Sequence, residues 1–290
     1  MRVLLTGASG QLGAYLVDRL VGAGHELVAW SGTETGHRGG VPLVPVDLAD
    51  VEAIGRAVAA ADPEVVLHAA AVSSAEAVRL DPRRGREVNV EATYFLAAWC
   101  ASRGRRIVYT STDLVFDGTR AWNREDDPDE PILAYGRTKR AGEPFVLAAP
   151  RGLVARVSLM FGPSRSGRAS FFDRTLAALR RGEPQTLFAD EFRTPLDLAT
   201  ASAALVALAE SDVVGLLHVA GTERVSRHEL ILRAARVLGI DPGLVRPNLQ
   251  RDVVLAEPRP ADVSLDTSRL AGLFPDLRRP TIEEAAAAGM

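Results

Sequence analysis

The sequence of 290 residues lacks most features of metal, disulfide and membrane proteins. Its single cysteine, Cys100, excludes an internal disulfide and a thiolate zinc site, and fits a reducing compartment. The uncharged, Ala-rich run at residues 198–209 is too short to span a bilayer. The five histidines show no paired spacing. His68, which follows an apolar run, is interpreted as a core histidine. We expect no metal site.

The charge and the first residues restrict the location and the partners. A net charge of −3 gives no basic excess of the kind that nucleic-acid-binding proteins carry. The chain enters an apolar strand at its second residue, which leaves no room for a signal peptide. We therefore expect a cytoplasmic protein with neither nucleic acid nor a membrane as its partner.

Lysine is almost missing as well. Of the 34 basic residues, 33 are arginine and one is Lys139. Where any cation suffices, this chain uses arginine. The single lysine therefore indicates a position that requires a compact ammonium group with an adjustable pKa.

Short apolar runs alternate with amphipathic stretches over the first 160 residues, which predicts βαβ units and a parallel sheet. The predicted strands are residues 2–6, 26–30, 43–46, 65–69 and 106–111, and the predicted helices are residues 10–23, 50–61 and 87–102. Beyond residue 161, segments rich in Gly, Pro and Arg interrupt two helical patterns, at residues 171–181 and 227–238.

These patterns predict an α/β fold with a Rossmann-type, doubly wound parallel sheet. We assign residues 1–160 to a dinucleotide-binding domain and residues 161–290 mainly to a smaller, irregular substrate lobe that is interleaved with the sheet. A ligand cleft is expected between the two.

The first candidate site is the turn from Thr6 to Gly13. Its glycines, Gly7, Gly10 and Gly13, stand directly after a strand and open a helix. Glycine lets the backbone approach a pyrophosphate, and the helix N-terminus offers free N–H groups and positive partial charge. A ligand-free turn is the alternative. On the cofactor reading, Gln11 and Leu12 of the same turn also contact the dinucleotide.

The adenosine ribose is expected at the end of the second strand. An acidic residue there would favour NAD and repel a 2′-phosphate, but this chain has Ser31. NADP(H) is therefore preferred, with NAD(H) possible because Glu34 lies in the same loop; Arg38 lies further along. Asp47 and Leu48 end the next strand, where an adenine edge could be read. The alternative for Asp47 is a helix N-cap.

The second candidate site combines Tyr135 and Lys139, which share one face of a helix because four residues separate them. An ammonium beside a phenol favours the phenolate and is expected to lower the tyrosine pKa, besides bonding a ribose hydroxyl. Thr112, at the carboxyl end of a strand, is expected to bond a substrate oxygen. A core tyrosine and a solvated lysine are the alternatives.

With these residues in place, the chain resembles the extended short-chain dehydrogenase/reductase family, and within it the branch of dTDP-4-dehydrorhamnose reductases. The resemblance covers nearly the whole length. Its most specific marker is Ser-Thr-Asp-Leu-Val-Phe-Asp-Gly at residues 111–118. The other markers are the glycine turn, Asp47-Leu48, His68-Ala69-Ala70-Ala71, Asn89, the Tyr135/Lys139 pair and Val-Ser-Leu-Met-Phe-Gly at residues 157–162.

The resemblance implies roles for particular residues. Thr112, Tyr135 and Lys139 would be the catalytic residues. The nicotinamide half of the cofactor would be lined by Ala69, Ala70 and Ala71. Asn89 would be a supporting polar residue near the lysine, and the substrate would be bound by Thr112, Asp113 and Arg193. Arg193 stands where the reductases tend to have Gly, and it matches the wider family, where an arginine bonds the substrate diphosphate.

The expected function is an NADP-dependent reductase of a 4-keto nucleotide sugar, with Tyr135 as the proton donor. The alternatives are an NAD-dependent nucleotide-sugar epimerase and a cofactor-bound regulatory subunit without turnover of its own. The expected small-molecule partner is a nucleotide sugar, and a homodimer is the expected assembly.

Overall fold

The computed structural model describes residues 1–289, and helices alternate with strands through the first half of the chain. The strands are β1 (Arg2–Thr6), β2 (Glu26–Ser31), β3 (His37–Arg38), β4 (Val41–Pro45), β5 (Val65–His68), β6 (Arg106–Thr112), β7 (Gly152–Val157), β8 (Met160–Phe161), β9 (Gln185–Phe188), β10 (Phe192–Arg193), β11 (Leu196–Asp197), β12 (Gly215–Val219), β13 (Val225–Ser226) and β14 (Val245–Asn248).

The α-helices are α1 (Gln11–Gly22), α2 (Val51–Ala61), α3 (Ala75–Leu80), α4 (Pro82–Arg86), α5 (Ala92–Ser102), α6 (Ala134–Leu147), α7 (Phe171–Arg180), α8 (Leu198–Glu210), α9 (Arg227–Val237), α10 (Ser268–Leu273) and α11 (Ile282–Ala288). A π-helical turn, Glu87–Glu91, joins α4 to α5. Single 3₁₀ turns are Asp113–Val115, Pro242–Leu244 and Gln250–Asp252.

Eight strands form the central sheet in the order β12-β7-β6-β5-β1-β2-β4-β3. Every neighbouring pair is parallel except β3 and β4, which are antiparallel at the edge. The chain starts at the centre of the sheet and winds outward in both directions. The prediction of a Rossmann-type, doubly wound α/β sheet is confirmed.

The two faces of the sheet are covered by different helices, because successive strand residues point to opposite sides. Val3 and Leu5 of β1 lie in one apolar core with α1 and α8, whereas Leu4 lies in the other with residues of α2, α5 and α6. The apolar run at residues 198–209 is part of α8, a helix buried on most sides against the sheet. Within residues 1–289, no helix is long and apolar enough to cross a bilayer.

The C-terminal half contributes both to the central sheet and to a separate lobe. Strand β12 pairs in parallel with β7, so residues beyond 160 complete the central sheet. A separate apolar core, which includes residues of α7, α9 and α11, forms the C-terminal lobe. The domain boundary at residue 160 stays a prediction, since α8 and β12 lie with the sheet.

Candidate active site

The glycine turn between β1 and α1 is closely packed. Gly7 has a φ of +75°, and a Cβ there would lie 2.8 Å from the backbone nitrogen of Ala70. A Cβ on Gly13 would lie 2.0 Å from the carbonyl oxygen of Gly7. Gly10 is the N-cap of α1 and supplies no side-chain cap, so the N–H groups of the first turn stay free for a ligand. The turn has the form of an anion cradle.

A cavity of about 540 Å³ opens above this turn, at the carboxyl ends of the central strands. It brings together every residue to which the sequence analysis assigned a cofactor contact. These are Gly7, Gly10, Gln11, Leu12, Gly13, Ser31, Asp47, Leu48, Ala69, Ala70, Ala71, Tyr135 and Lys139. The lining also includes Arg84, Ser111 and Arg168, which the sequence analysis did not select. Thr112, Asp113 and Arg193 are not part of this wall.

At the end of the cavity that Ser31 lines, where the adenosine ribose is expected, no carboxylate of the described residues is unpaired. Ser31 is buried and donates its hydroxyl proton to the carbonyl oxygen of Glu34 at 2.5 Å. Asp47 is held by Arg84 at 2.7 and 3.2 Å, and mainly for this reason its pKa is lowered. The N-cap interpretation of Asp47 is wrong, because the side chain of Asp50 accepts the hydrogen bond that caps α2.

Lys139 lies on α6, one turn beyond Tyr135, and is almost fully buried. Its Nζ has no hydrogen-bond partner among the described residues. The same atom lies 4.0 Å from the centroid of the Tyr109 ring, a cation–π distance. Burial lowers the pKa of Lys139 to about 7, opposed by the nearby carboxylate of Glu143. A buried, unpartnered ammonium on a cavity wall fits a dinucleotide ribose, whose hydroxyls are acceptors.

Tyr135 differs from the expectation in its pKa. Burial raises the pKa of its phenol, and the charge of Asp113 raises it further, opposed by Arg193. The expected lowering by the ammonium is absent because Lys139 lies over the ring of Tyr109 and desolvation dominates. The phenol is therefore held protonated, which is the state that a proton donor requires.

A buried ion pair lies behind the lysine. The carboxylate of Glu143, one turn beyond Lys139, accepts hydrogen bonds from Arg156 of β7 at 2.7 and 3.0 Å and from Ser111 at 2.5 Å. Arg156 also contacts Asp129. This arrangement was not predicted, although an arginine inside the apolar run of β7 was a sequence signal for a buried partner.

The predicted substrate residues form a second network around Asp113. Thr112 donates its hydroxyl proton to the carboxylate of Asp113 at 3.1 Å, and Ser158 does so at 2.8 Å. Arg193 is buried and donates to the same carboxylate at 2.7 Å, with Glu191 at 3.4 Å. The structure thus gives Arg193 carboxylate partners where the sequence predicted a diphosphate.

Asn89 lies in the π-helical turn and joins two walls of the cavity. Its side chain bonds both backbone groups of Val72, at 2.8 and 3.2 Å, and donates to the hydroxyl of Thr138 at 2.9 Å. It thereby ties the segment after β5 to the helix that carries Lys139.

His68 is a core histidine, as the sequence indicated. Its two ring nitrogens bond Thr6 at 2.7 Å and Thr93 at 3.0 Å, and burial lowers its pKa to about 3. No cluster of His, Cys, Asp and Glu in the described part of the chain could hold a metal ion.

Fold and site together define an NAD(P)-dependent oxidoreductase of the short-chain dehydrogenase/reductase type. The chain belongs to the RmlD family, since the family described as the RmlD substrate binding domain matches residues 1–288.

Two relatives cover most of the chain. The dTDP-4-dehydrorhamnose reductase of Mycolicibacterium smegmatis is 32% identical over 99% of this chain and 85% of its own length. Methionine adenosyltransferase 2 subunit beta of Bos taurus is 30% identical over 96% of this chain and 84% of its own.

Two solved structures share the fold. The dTDP-4-dehydrorhamnose reductase of Bacillus anthracis in complex with NADP superposes with a TM-score of 0.87 at 22% identity, covering 99% of this chain and 98% of that one. The UDP-glucose 4-epimerase of Thermus thermophilus in complex with NAD has a TM-score of 0.80 at 25% identity, covering 100% and 97%. Both carry a nicotinamide dinucleotide, but of different kinds.

The buried ammonium leads to a prediction about stability and pH. Lys139 titrates at about 7 in the folded protein, whereas a lysine in an unfolded chain titrates near about 10.4. Between these values the unfolded state binds more protons at this residue, so its contribution to stability rises with pH, by up to about 1.4 kcal/mol per unit. Denaturant unfolding of the nucleotide-free protein, with Lys139→Met alongside, measures this.

The comparison with the variant isolates this residue, because all other titrating groups are common to both proteins. The stability advantage of Lys139→Met should shrink between about pH 7 and about pH 9. Parallel curves for the two proteins would contradict a desolvated ammonium at this site.

Proposed function

We propose that the protein is an NADP-dependent reductase of a 4-keto nucleotide sugar. The observation that carries this proposal is the unpartnered, buried ammonium of Lys139, one helical turn from a protonated Tyr135, on the wall of a cavity that the glycine turn closes. The sugar nucleotide as substrate is supported by the names of the reductase relatives.

Tyr135 and Lys139 have different roles in the proposed reaction. The dinucleotide, when bound, supplies the hydride that reduces the C4 carbonyl. Tyr135 donates its phenolic proton to the oxygen of that carbonyl, so a C4 alcohol is formed. Lys139 bonds a ribose hydroxyl, and in this proposal that bond draws the ammonium from the ring of Tyr109 towards Tyr135, where it stabilises the phenolate that remains.

Thr112 is proposed to hold the substrate oxygen, exchanging its present acceptor, Asp113, for that oxygen. Arg193 and Asp113 complete the substrate side of the cleft in this proposal. Their ion pair keeps the end of β6 attached to the C-terminal lobe. The homodimer and the cytoplasmic location remain predictions from the sequence.

A regulatory subunit without turnover is the second candidate, and a specific observation favours it. The relative named methionine adenosyltransferase 2 subunit beta is almost as similar to the chain as the reductase is. The epimerase alternative rests on the fold shared with an NAD-bound epimerase. Activity distinguishes the three functions.

A panel of 4-keto nucleotide sugars, assayed for NADPH consumption, tests the proposed function. We expect consumption with at least one sugar and a C4 alcohol as the product, with its stereochemistry read by NMR. An epimerase would instead interconvert 4-hydroxy sugars without net consumption of cofactor. Binding of NADPH without turnover of any sugar in the panel would favour the regulatory subunit.

The roles of Tyr135 and Lys139 predict the effect of two conservative changes. Tyr135→Phe removes the proton donor, and Lys139→Arg introduces a larger, planar cation into a buried position. Each should lower kcat at least about 10²-fold, measured with the best sugar of the panel. The kcat of the double variant should be little lower than that of either single variant, because the effects of residues that act as one unit are not additive.

Circular dichroism checks that these variants fold, and Tyr94→Phe is the matched control, because Tyr94 is exposed on α5. The control should keep wild-type kcat. Near-normal turnover in folded Lys139→Arg would show that the lone lysine is an accident of composition.

The preference for NADP(H) rests on Ser31, which presents no carboxylate to a 2′-phosphate. We expect NADPH to bind more tightly than NADH, and Ser31→Asp to reverse the order by adding a negative charge. Fluorescence titration of both nucleotides measures the two dissociation constants, with Ser31→Asn as a neutral control of similar size. Tighter binding of NADH by the unmodified protein would refute this interpretation of the loop.

A further inference from the structure

A short segment of the C-terminal half lies across the adenosine end of the cofactor cavity. We call residues 163–168 the strap. The hydroxyl of Tyr15 donates to the carbonyl oxygen of Pro163 at 2.7 Å. Arg38 donates to the carbonyl oxygens of Arg165 at 2.7 Å and Ser166 at 3.3 Å. Helix α1 and strand β3 therefore both hold the strap in place.

The strap ends at Arg168, which lies between the two loops that surround the adenosine end. Its backbone carbonyl accepts a hydrogen bond from the side chain of Gln11. Its guanidinium donates to the carbonyl oxygen of Ser9 in the glycine turn at 2.8 Å. The same group lies 3.4 Å from the carboxylate of Glu34, in the loop after β2. Arg168 and Ser31 both line the cavity.

The other arginines near this end are engaged. Arg84 lines the cavity, but its guanidinium holds both carboxylate oxygens of Asp47. Arg38, which the sequence placed in the ribose loop, donates to the strap carbonyls. Arg168 uses the same nitrogen, Nη2, for the Ser9 carbonyl and for its one carboxylate partner, Glu34, at the longer distance of 3.4 Å, and its side chain is 63% exposed. It is free to exchange that partner for a ligand.

In dinucleotide folds, the end of the second strand sets the choice of cofactor: an acidic residue bonds the ribose of NAD, and an arginine nearby accommodates the 2′-phosphate of NADP. Strand β2 ends here in Ser31, whose hydroxyl is committed to Glu34. No cation follows in the first positions of the loop. Arg168 supplies the missing positive charge at this position from another part of the chain.

We propose that Arg168 binds the 2′-phosphate of NADP(H), and thus that the strap from the C-terminal half sets the cofactor preference. This inference rests on the NADP preference in the proposed function. Glu34 is the counter-ion of Arg168 when no phosphate is bound, and it competes with the phosphate for the guanidinium. A phosphate carries more charge than one carboxylate and accepts bidentate bonds from arginine, so it displaces Glu34.

Equilibrium binding tests the assignment without any turnover. Dissociation constants are measured for NADPH and NADH, and for 2′,5′-ADP and 5′-AMP as fragments that differ only in the 2′-phosphate. Arg168→Ala should raise the dissociation constants of NADPH and 2′,5′-ADP by about tenfold to a hundredfold. It should change those of NADH and 5′-AMP by less than about threefold. Glu34→Gln should lower the dissociation constants of NADPH and 2′,5′-ADP, because it removes the carboxylate that competes with the 2′-phosphate.

Arg165→Ala is the matched control. Arg165 lies on the same strap, but its guanidinium pairs with Asp18 on α1 at 3.1 Å and packs on the ring of Tyr15. This variant should keep the wild-type ratio of NADPH to NADH affinity.

Three results would overturn the proposal. An unchanged ratio in Arg168→Ala, with the unmodified protein still preferring NADPH, would place the phosphate elsewhere and leave the proposed reductase intact. An equal loss of affinity for all four ligands would show that Arg168 only holds the strap in place. A wild-type protein that does not prefer 2′,5′-ADP over 5′-AMP would refute the phosphate subsite itself. Failure of the reductase proposal appears separately, as absent turnover in the sugar panel.

Discussion

The ammonium of Lys139 is buried and donates no hydrogen bond to any of residues 1–289, and the arrangement of the site depends on how its charge is tolerated. Desolvation of a charge is costly and here lowers the lysine pKa to about 7. The ring of Tyr109 and the carboxylate of Glu143 offset part of that cost. Glu143 can itself be buried only because Arg156 of β7 pairs with it. The cation therefore faces the cavity with its hydrogen-bonding capacity unused.

The residues proposed to bind the substrate form a separate hydrogen-bond network, which is centred on the carboxylate of Asp113. Its carboxylate gathers Thr112, Ser158 and Arg193, so the end of β6 is fastened to the C-terminal lobe. The charge of Asp113 also helps to raise the pKa of Tyr135. A mobile contact between the lobes would leave the phenol without this neighbour. The protonation of Tyr135, the proposed proton donor, thus depends in part on a contact between the two halves of the chain.

Local patterns were enough to predict the sheet and to select residues that line one cavity. Apolar runs predicted β1, β5 and β6, and glycines at fixed spacing marked the turn whose close packing excludes side chains. The partners of charged residues were not predictable, because ion pairs such as Arg193 with Asp113 join positions far apart in the chain. Helix α8 escaped detection because it is apolar on most sides and shows no helical period. The strap was not predicted, because its Gly- and Ser-containing sequence shows no hydrophobic periodicity.

The geometry also accounts for the one lysine among the arginines. The Nζ of Lys139 lies 4.0 Å from the centroid of the Tyr109 ring, and Tyr109 itself packs closely on α6, where a Cβ on Gly142 would come within 2.8 Å of its hydroxyl. A guanidinium here would bring up to five donors to a buried position where the ammonium itself has no hydrogen-bond partner among the described residues. Its pKa would also stay above about 12, so the buried charge could not be relieved by proton loss. Ammonium is the cation whose size, donor count and pKa all suit the bond to a ribose hydroxyl that the proposed function assigns to Lys139.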